Sequence, residues 1–295
     1  MFHTVIHDCK ELGDALMTTP ALRQLSRELP ERHRLRLLVR NLPNRLIFGH
    51  NPHFRAETAP DDLLQLYGQM PPGEWTDTDV GPCVRLAAGT AFDYSVARGG
   101  KLHLAEGFAV QLGVTLDSLH YDLRLNYADQ NAAIESWNHF NKGAERNGPT
   151  VLCAPYSTNC HSRKGGVANK MVSWPVWEEV YARLREDFSL WFLAGEGEPP
   201  AFAPDRWLVG YPIRTVAAWL PWVAAVVAVD NGLGHVAQAM DASIVSIVAA
   251  TAPAMVSLSA TRGRFQLIDH HGMPGGILGV TADEIVDAVR RITAV

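Results

Sequence analysis

Short runs of apolar residues alternate with amphipathic stretches along most of the chain. Near the start, the run from Thr4 to His7 predicts a strand, Ala15 to Leu29 a helix, and Arg34 to Val39 a second strand. A strand, a helix and a strand in this order form the right-handed βαβ unit of a parallel sheet. The turn that carries Gly13 and Asp14 is therefore expected at the carboxyl end of a strand.

The same alternation restarts in the second half of the chain. Strand-like runs such as TVLCAPY, SLWFLAG and AAVVAVD are separated by helical patterns such as WPVWEEVYARLRED and ADEIVDAVRRI. Alternation this regular is typical of a doubly wound parallel sheet. Between these regular parts, the stretch from Ala59 to Gly100 is rich in Pro, Gly, Asp and Thr and predicts loops, and GAERNGP predicts a linker.

The length of the chain favours two domains. Its 295 residues exceed the size at which one hydrophobic core usually stops growing. We expect an α/β protein with two Rossmann-like, doubly wound parallel-sheet domains that face each other across a cleft. The predicted domains are residues 1–146 and residues 147–295, and the last helix could pack back on the N-terminal domain.

Charge and composition limit the binding partners and the cellular compartment that we expect for the protein. A formal charge of −5 and a pI near 6.2 give no overall attraction to nucleic acid or to an anionic membrane. The N-terminus lacks a basic region followed by an apolar one, and the longest apolar stretch, VAAWLPWVAAVVAV, is interrupted by Pro221. We expect a cytoplasmic protein with at most peripheral contact to the inner face of a membrane, and scattered cysteines that are free thiols.

A glycine-rich turn in the second half is the first candidate site. Asp230, Asn231, Gly232, Leu233 and Gly234 lie between a buried strand and a helix predicted to begin near His235. Glycines let a ligand approach the backbone, and the N–H groups at a helix start bind phosphate. The alternative is a tight turn in which Asp230 only caps the helix.

Three segments together resemble glycosyltransferase family nine, the bacterial lipopolysaccharide heptosyltransferases. LGDALMTTPALRQLSRELP at residues 12–30 is similar to the family's GD-x-x-x-x-T-P-A-L segment, and DNGLGHVAQAM at residues 230–240 to its D-[ST]-G-x-x-H-x-x-A-A segment. VLCAPYSTN, WPVWEEVYARL and FLAGEGE resemble its strand, Ser/Thr-rich loop, Trp-Pro helix start and Gly-x-x-x-Glu loop. The segments keep the family's order across nearly the whole chain.

The resemblance implies a GT-B fold and an inverting transfer from a nucleotide-diphosphate sugar, often ADP-heptose, to a saccharide or lipopolysaccharide-like acceptor. It implies no metal and no cofactor other than the nucleotide sugar. Asp14 would be the general base that takes the proton of the acceptor hydroxyl. The alternative for Asp14 is an N-cap of the helix that begins at Ala15.

The resemblance also assigns donor-binding residues. Without a metal, the charge of the leaving diphosphate needs fixed dipoles and a cation. The helix start after Asp230 would supply the dipoles, and Arg163, Lys164 and Lys170 are the candidate cations. The predicted donor-binding residues are Ser157, Thr158, Lys170, Glu196, Asp230, Asn231, Gly232, Leu233, Gly234 and His235.

The acceptor side is less marked in the sequence. Arg40, Arg45 and Arg55 belong to a locally basic run and are predicted to bind an anionic acceptor, with a solvated loop as the alternative. The sequence Asp77-Thr78-Asp79 spells the D-x-D of metal-dependent sugar transferases, but its Pro/Gly-rich surroundings predict a solvated loop.

The chain departs from the family pattern at three places. The family usually has a basic residue and an apolar pair before its Gly-Asp, whereas this chain reads HDCKELGD. Asn231 replaces the usual Ser or Thr, and AATAP replaces a glycine-containing loop. Two other functions are therefore kept: a catalytically silent relative that binds nucleotide or acts as a scaffold, and a nucleotide-sugar epimerase. A product assay with and without an acceptor would separate them.

Overall fold

The structure is a computed structural model that describes residues 1–9, 11–39, 42–60, 65, 68–79, 81–142, 148–155, 157, 170–194, 206–257 and 263–294. The chain divides into two compact units. The first consists of Met1–Arg124 with Ala254–Ala260, and the second of Leu125–Pro253 with Thr261–Val295. No helix among the described residues is long and apolar enough to cross a membrane.

The first unit contains a five-stranded sheet in the order β3-β2-β1-β5-β4. Strands β3, β2, β1 and β5 are parallel, and the short edge strand β4 runs antiparallel to β5. Its elements are β1 (Phe2–His7), α1 (Leu12–Glu28), β2 (Arg34–Val39), α2 (Leu42–Ile47), β3 (Phe54–Thr58), β4 (Thr76–Thr78), β5 (Gly81–Leu86), α3 (Ala88–Val96) and α4 (Leu104–Leu112). Strand β1 lies at the centre of this sheet, with β2 on one side and β5 on the other.

Helix α1 accommodates a proline in its interior. Pro20 has no N–H to donate to the carbonyl of Leu16, and the Thr19 hydroxyl donates to that carbonyl instead, at 2.7 Å. The same hydroxyl accepts the backbone N–H of Asp122 at 2.8 Å. The Thr-Pro pair of the sequence motif therefore continues the helix through the proline and ties it to the end of the first unit.

The second unit contains a six-stranded, fully parallel sheet in the order β11-β10-β9-β6-β7-β8. Its elements are α5 (Tyr127–Asn141), β6 (Thr150–Ala154), α6 (Trp174–Leu184), β7 (Ser189–Ala194), β8 (Arg206–Val209), α7 (Ile213–Trp219), β9 (Ala225–Val229), α8 (Gly232–Ala239), β10 (Ile244–Val248), α9 (Pro253–Val256), β11 (Phe265–Asp269) and α10 (Ala282–Thr293). Counted from β6, this is the strand order 3-2-1-4-5-6 of a Rossmann fold.

The core of the second unit is built on continuous apolar strands. All residues of β6, β9 and β10 are buried, as expected for parallel strands covered on both faces. Helix α10 packs against α6 and the β9–β11 strands through Ile285, Val289 and Ile292. The last helix thus belongs to the second unit.

Helix α5 also belongs to the second unit. Arg214 on α7 forms a two-pronged, largely buried ion pair with Asp129 in the first turn of α5, with Nε–Oδ1 at 3.0 Å and Nη2–Oδ2 at 2.5 Å. The Trp219 indole N–H donates to the Ala133 carbonyl at 3.1 Å. Because these contacts join α5 to α7, the division falls at Arg124–Leu125 rather than at the boundary predicted between residues 146 and 147.

The α/β class and the two doubly wound sheets are confirmed. The loops predicted between Ala59 and Gly100 are only partly correct, because β4, β5 and α3 lie in this stretch. Strand β11 was not predicted either. Both β5 and β11 are short and lie beside Gly and Pro or charged residues, so their periodicity is weak.

Candidate functional site

The carboxyl edge of the second sheet has a topological switch point. Strands β6 and β9 are neighbours, and their connections leave toward opposite sides of the sheet. Ligands of doubly wound proteins bind in the crevice outside such a point. The predicted donor residues with Asp230 at their centre follow β9, and Ser157 follows β6, so the fold brings both loops to this edge.

Asn231 connects the two sides of this switch point. Its side-chain Oδ1 accepts the N–H of Gly234 at 3.0 Å, which makes Asn231 the N-cap of α8. Its Nδ2 donates to the carbonyl of Ala154, the last residue of β6, at 3.4 Å. The helix thus begins at Gly232, earlier than predicted, and the cap is Asn231 rather than Asp230.

Asp230 is an almost fully covered anion with two basic neighbours. Its side chain is 9% exposed, the Lys170 ammonium lies 2.8 Å from Oδ2, and Nε2 of His235 lies 3.6 Å from Oδ1. Burial alone would raise the pKa of this carboxyl, but the interactions with His235 and Lys170 hold its pKa well below the usual range. Asp230 is therefore ionised at every physiological pH and fixes both basic side chains at the start of α8.

The first turn of α8 contains backbone N–H groups that make no hydrogen bond to the described residues. The N–H of Gly234 is used by the Asn231 cap, and the N–H of His235 points to the Asn231 carbonyl at 3.4 Å. The N–H groups of Gly232 and Leu233 have no acceptor among the described residues. Two backbone donors and the Lys170 ammonium form an arrangement that suits a phosphate group.

The other predicted donor residues are placed only in part. Ser157 is buried on the connection that follows β6. Thr158 and Glu196 lie outside the described residues, as do Arg163 and Lys164. Of the three candidate cations, Lys170 is the one that the described part of the chain places beside Asp230.

The carboxyl edge of the first sheet carries Asp14. Helix α1 begins at Leu12 with Glu11 as its N-cap, which makes no side-chain capping hydrogen bond. Asp14 is thus the third residue of the helix, half-buried in its first turn, where the helix dipole favours a negative charge. The interpretation of Asp14 as the N-cap of a helix that begins at Ala15 is wrong.

Sequence reasoning missed an ion pair at this edge. Asp8 follows β1 directly, and its Oδ2 accepts from Nη2 and Nε of Arg85 on β5 at 2.6 and 3.2 Å. The next residue, Cys9, is buried: burial raises the pKa of its thiol, and the charges of Asp14 and Asp8 add to this effect. The turn from β1 to α1 indicated a site here, but the predicted loop hid the strand that carries Arg85.

Of the predicted acceptor arginines, the structure describes Arg45 and Arg55. Arg55 lies on edge strand β3, is 79% exposed and pairs with Glu57 at 3.0 Å. Arg45 is exposed in the last turn of α2, and Arg40 lies outside the described residues. Asp77 belongs to β4 and is exposed, in keeping with a solvated position.

No group of three or more His, Cys, Asp and Glu side chains that could hold a metal ion occurs in the described part of the chain. This finding concerns the described ranges alone.

Fold and site together define the class: an α/β protein with two Rossmann-like units and the architecture of GT-B glycosyltransferases. A glycosyltransferase of family 9 from Veillonella parvula has a similar structure, with a TM-score of 0.69, 14% identity, and coverage of 99% of this chain and 97% of that one. E. coli heptosyltransferase WaaC with ADP matches with a TM-score of 0.60 at 16% identity, covering 99% of each chain. The iron-containing dodecameric glycosyltransferase TibC from enterotoxigenic E. coli matches with a TM-score of 0.60 at 15% identity, covering 98% of this chain and 78% of that one.

No protein-family model and no curated protein sequence matches the chain. At these low identities the structural likeness establishes the fold, and the resemblance to glycosyltransferase family nine is confirmed at that level.

Proposed function

We propose that the protein is an inverting, metal-independent glycosyltransferase that moves a sugar from a nucleotide-diphosphate donor to a saccharide or glycolipid acceptor. ADP-heptose is the leading donor, because the similar enzyme WaaC was solved with ADP. The proposed place of action is the cytoplasm. The observation that carries the proposal is Asp230, which holds Lys170 and His235 at the capped start of α8, at the switch point of the second sheet.

The donor diphosphate is proposed to bind at the first turn of α8. The N–H groups of Gly232 and Leu233 would donate to its phosphate oxygens, and Lys170 would supply the positive charge. Asp230 orients Lys170 through one N–H, and the other two donors of the ammonium have no acceptor in the described part of the chain. The negative charge that grows on the diphosphate as the glycosidic bond breaks is then stabilised without a metal.

Asp14 is proposed as the general base. Its carboxylate would accept the proton of the acceptor hydroxyl while the hydroxyl oxygen attacks the anomeric carbon and the nucleoside diphosphate leaves from the opposite face. The configuration at the anomeric carbon is thereby inverted. Asp14 lies in the first turn of α1, where the N–H groups of the helix start favour an anion.

Thermal unfolding in the presence of nucleotides tests the donor assignment. ADP, GDP, UDP and CDP and their sugar conjugates are added one at a time, since a ligand at about 100 times its Kd stabilises by about 2.7 kcal/mol. Selective stabilisation by ADP and ADP-heptose is expected. The same panel is repeated with Lys170→Met, in which the response to ADP should shrink.

Three results would decide between the candidate functions. Transfer of the sugar only when an acceptor is present, unaffected by EDTA, supports the metal-independent transferase. Conversion of the donor without an acceptor indicates an epimerase. A lack of stabilisation by any nucleotide in the panel would contradict the proposal and favour the silent scaffold.

A further inference from the structure

The pair Asp8–Arg85 lies at the carboxyl edge of the first sheet and is not used by the proposed reaction. Asp8 immediately follows β1, and Arg85 is the last residue but one of β5, the strand that adjoins β1 at the switch point of this sheet. The two side chains are 14% and 20% exposed. The ion pair is therefore largely buried but still reaches the edge where doubly wound sheets bind their ligands.

Arg85 is held in one orientation and keeps hydrogen-bonding capacity. A guanidinium has five N–H donors. Nε and Nη2 donate to Oδ2 of Asp8 at 3.2 and 2.6 Å, and Nη1 donates to the Met70 carbonyl at 3.1 Å. One N–H on each terminal nitrogen is left without a partner in the described part of the chain, so two donors are presented by a side chain whose position is already fixed.

The neighbourhood of Arg85 contains the proposed base. Asp8 and Asp14 lie on the connection from β1 into the first turn of α1, and Arg85 is the last residue but one of β5, which pairs with β1, so the three charged groups lie at the same edge of the first sheet. A planar guanidinium with two parallel donors is suited to a carboxylate or phosphate. The predicted acceptor residue Arg55 is less suited, because it is exposed and compensated by Glu57.

We propose that Arg85, oriented by Asp8 and the Met70 carbonyl, is a specificity-determining residue that binds an oxyanion of the acceptor, a carboxylate or a phosphate, beside Asp14. This inference rests on the proposed function for its biological role. The binding itself can be measured without any turnover. Arg85 would hold the acceptor, and Asp14 would take the proton.

The test follows the side-chain N–H signal of Arg85 by NMR in the nitrogen-labelled wild-type protein. The signal is assigned by its loss in Arg85→Lys. Glucuronate serves as the carboxylate probe, glucose phosphate as the phosphate probe and glucose as the neutral control. We expect a saturable shift with one or both anions, roughly ten- to a hundred-fold tighter than with glucose, as befits charge-assisted hydrogen bonds.

Matched variants separate recognition from a purely structural role. Arg85→Lys keeps the charge but loses the planar fork, and should weaken anion binding about ten-fold in calorimetric titration while the ADP-induced rise in Tm is unchanged. Arg98→Met removes an exposed arginine of the same unit and should change neither. In a transfer assay, Arg85→Lys should raise KM for a charged acceptor and leave kcat nearly constant.

Failure of the two proposals would look different. If none of the three sugars shifts the Arg85 signal in the wild-type protein, the pair is structural and this inference is overturned, whatever the nucleotide panel shows. If the anions bind at Arg85 but no nucleotide stabilises the protein, recognition of the oxyanion holds and the transferase proposal fails.

Discussion

The carboxyl edges of the two parallel sheets use an aspartate in opposite ways. Asp230 precedes its helix, is 9% exposed and is locked by Lys170 at 2.8 Å. Asp14 lies inside the first turn of its helix and is half-buried. At the edge of the second sheet the carboxylate therefore holds a cation beside the backbone donors of the helix start. At the edge of the first sheet the carboxylate lies inside the first turn of the helix.

The two helices that begin at these edges also differ in how their N-termini are capped. Helix α8 is capped by Asn231, whose amide also reaches the carbonyl of Ala154. Helix α1 has Glu11 at its N-cap without a side-chain capping bond. In the proposed function, the start of α8 holds a diphosphate and benefits from a rigid turn, whereas the start of α1 carries a general base that must lie within reach of the substrate. The comparison predicts that changes at the two edges affect different steps.

The largest effect is expected for Asp14→Asn. The amide keeps the shape but cannot accept a proton, so turnover should fall by roughly 10²- to 10⁴-fold. The ADP-induced rise in Tm should stay as in the wild type, because the donor edge is unchanged. Steady-state kinetics and thermal unfolding check both parts.

Asp93→Asn is the matched control for this prediction, since Asp93 is an exposed carboxylate on α3 of the same unit. It should keep full activity. Unchanged turnover in Asp14→Asn would remove Asp14 from the mechanism and erase the functional contrast between the edges.

The second effect is a pH dependence of stability that comes from His7, the last residue of β1. Strands β6 and β9 end in apolar residues, but β1 ends in His7, which is fully buried with neither ring nitrogen hydrogen-bonded in the described part of the chain. Burial lowers the pKa of His7 from 6.5 to about 4. The unfolded chain therefore binds a proton more readily than the folded one between these two pH values.

Stability should accordingly rise with pH across that window and be lost as pH falls from about 6.5 to about 4, by about 3 kcal/mol from this group. His7→Leu should flatten this part of the pH dependence. The measurement is urea unfolding at several pH values, and the quantity is the difference between wild type and variant. Parallel pH curves for the two proteins would show that His7 is protonated equally in both states.

The third effect is a loss of donor affinity in Lys170→Met. The variant lacks the cation at the start of α8 and leaves the Asp230 carboxylate with His235 alone, so ADP should bind roughly ten-fold or more weakly. Lys101→Met, at an exposed lysine of the first unit, is the control. Calorimetric titration with ADP measures the affinity of both variants and of the wild type. Equal affinities would show that Lys170 is not the cation that binds the phosphate.

Sequence patterns located the elements of both edges but not all of their contacts. The strand ahead of Asp230 and the turn ahead of Asp14 follow from runs of apolar residues and from glycines, which are local signals. The pairs Arg85–Asp8 and Lys170–Asp230 join residues 77 and 60 positions apart, and they depend on which strands become neighbours. Strand order is decided by tertiary packing, so a single sequence does not reveal such pairs.

The place of α5 shows the same limit. Its helical pattern was visible, and the nearest Gly/Pro-rich stretch lies after it, which put the predicted boundary there. Its unit is decided instead by the buried ion pair of Asp129 with Arg214, 85 positions away.

The smallest effect is expected at the cap of α8. Asn231→Ala removes the acceptor of the Gly234 N–H and the bond to Ala154, and should lower the free energy of unfolding by about 1 kcal/mol. Asn231→Ser keeps a capping oxygen but loses the link to β6. If the hydrogen bond to Ala154 contributes to donor binding, the serine variant should retain most of its stability but show a smaller rise in Tm with ADP. A serine variant that matches the wild type in both would limit Asn231 to capping, and the rigidity of the donor edge would then come from the Lys170–Asp230 pair.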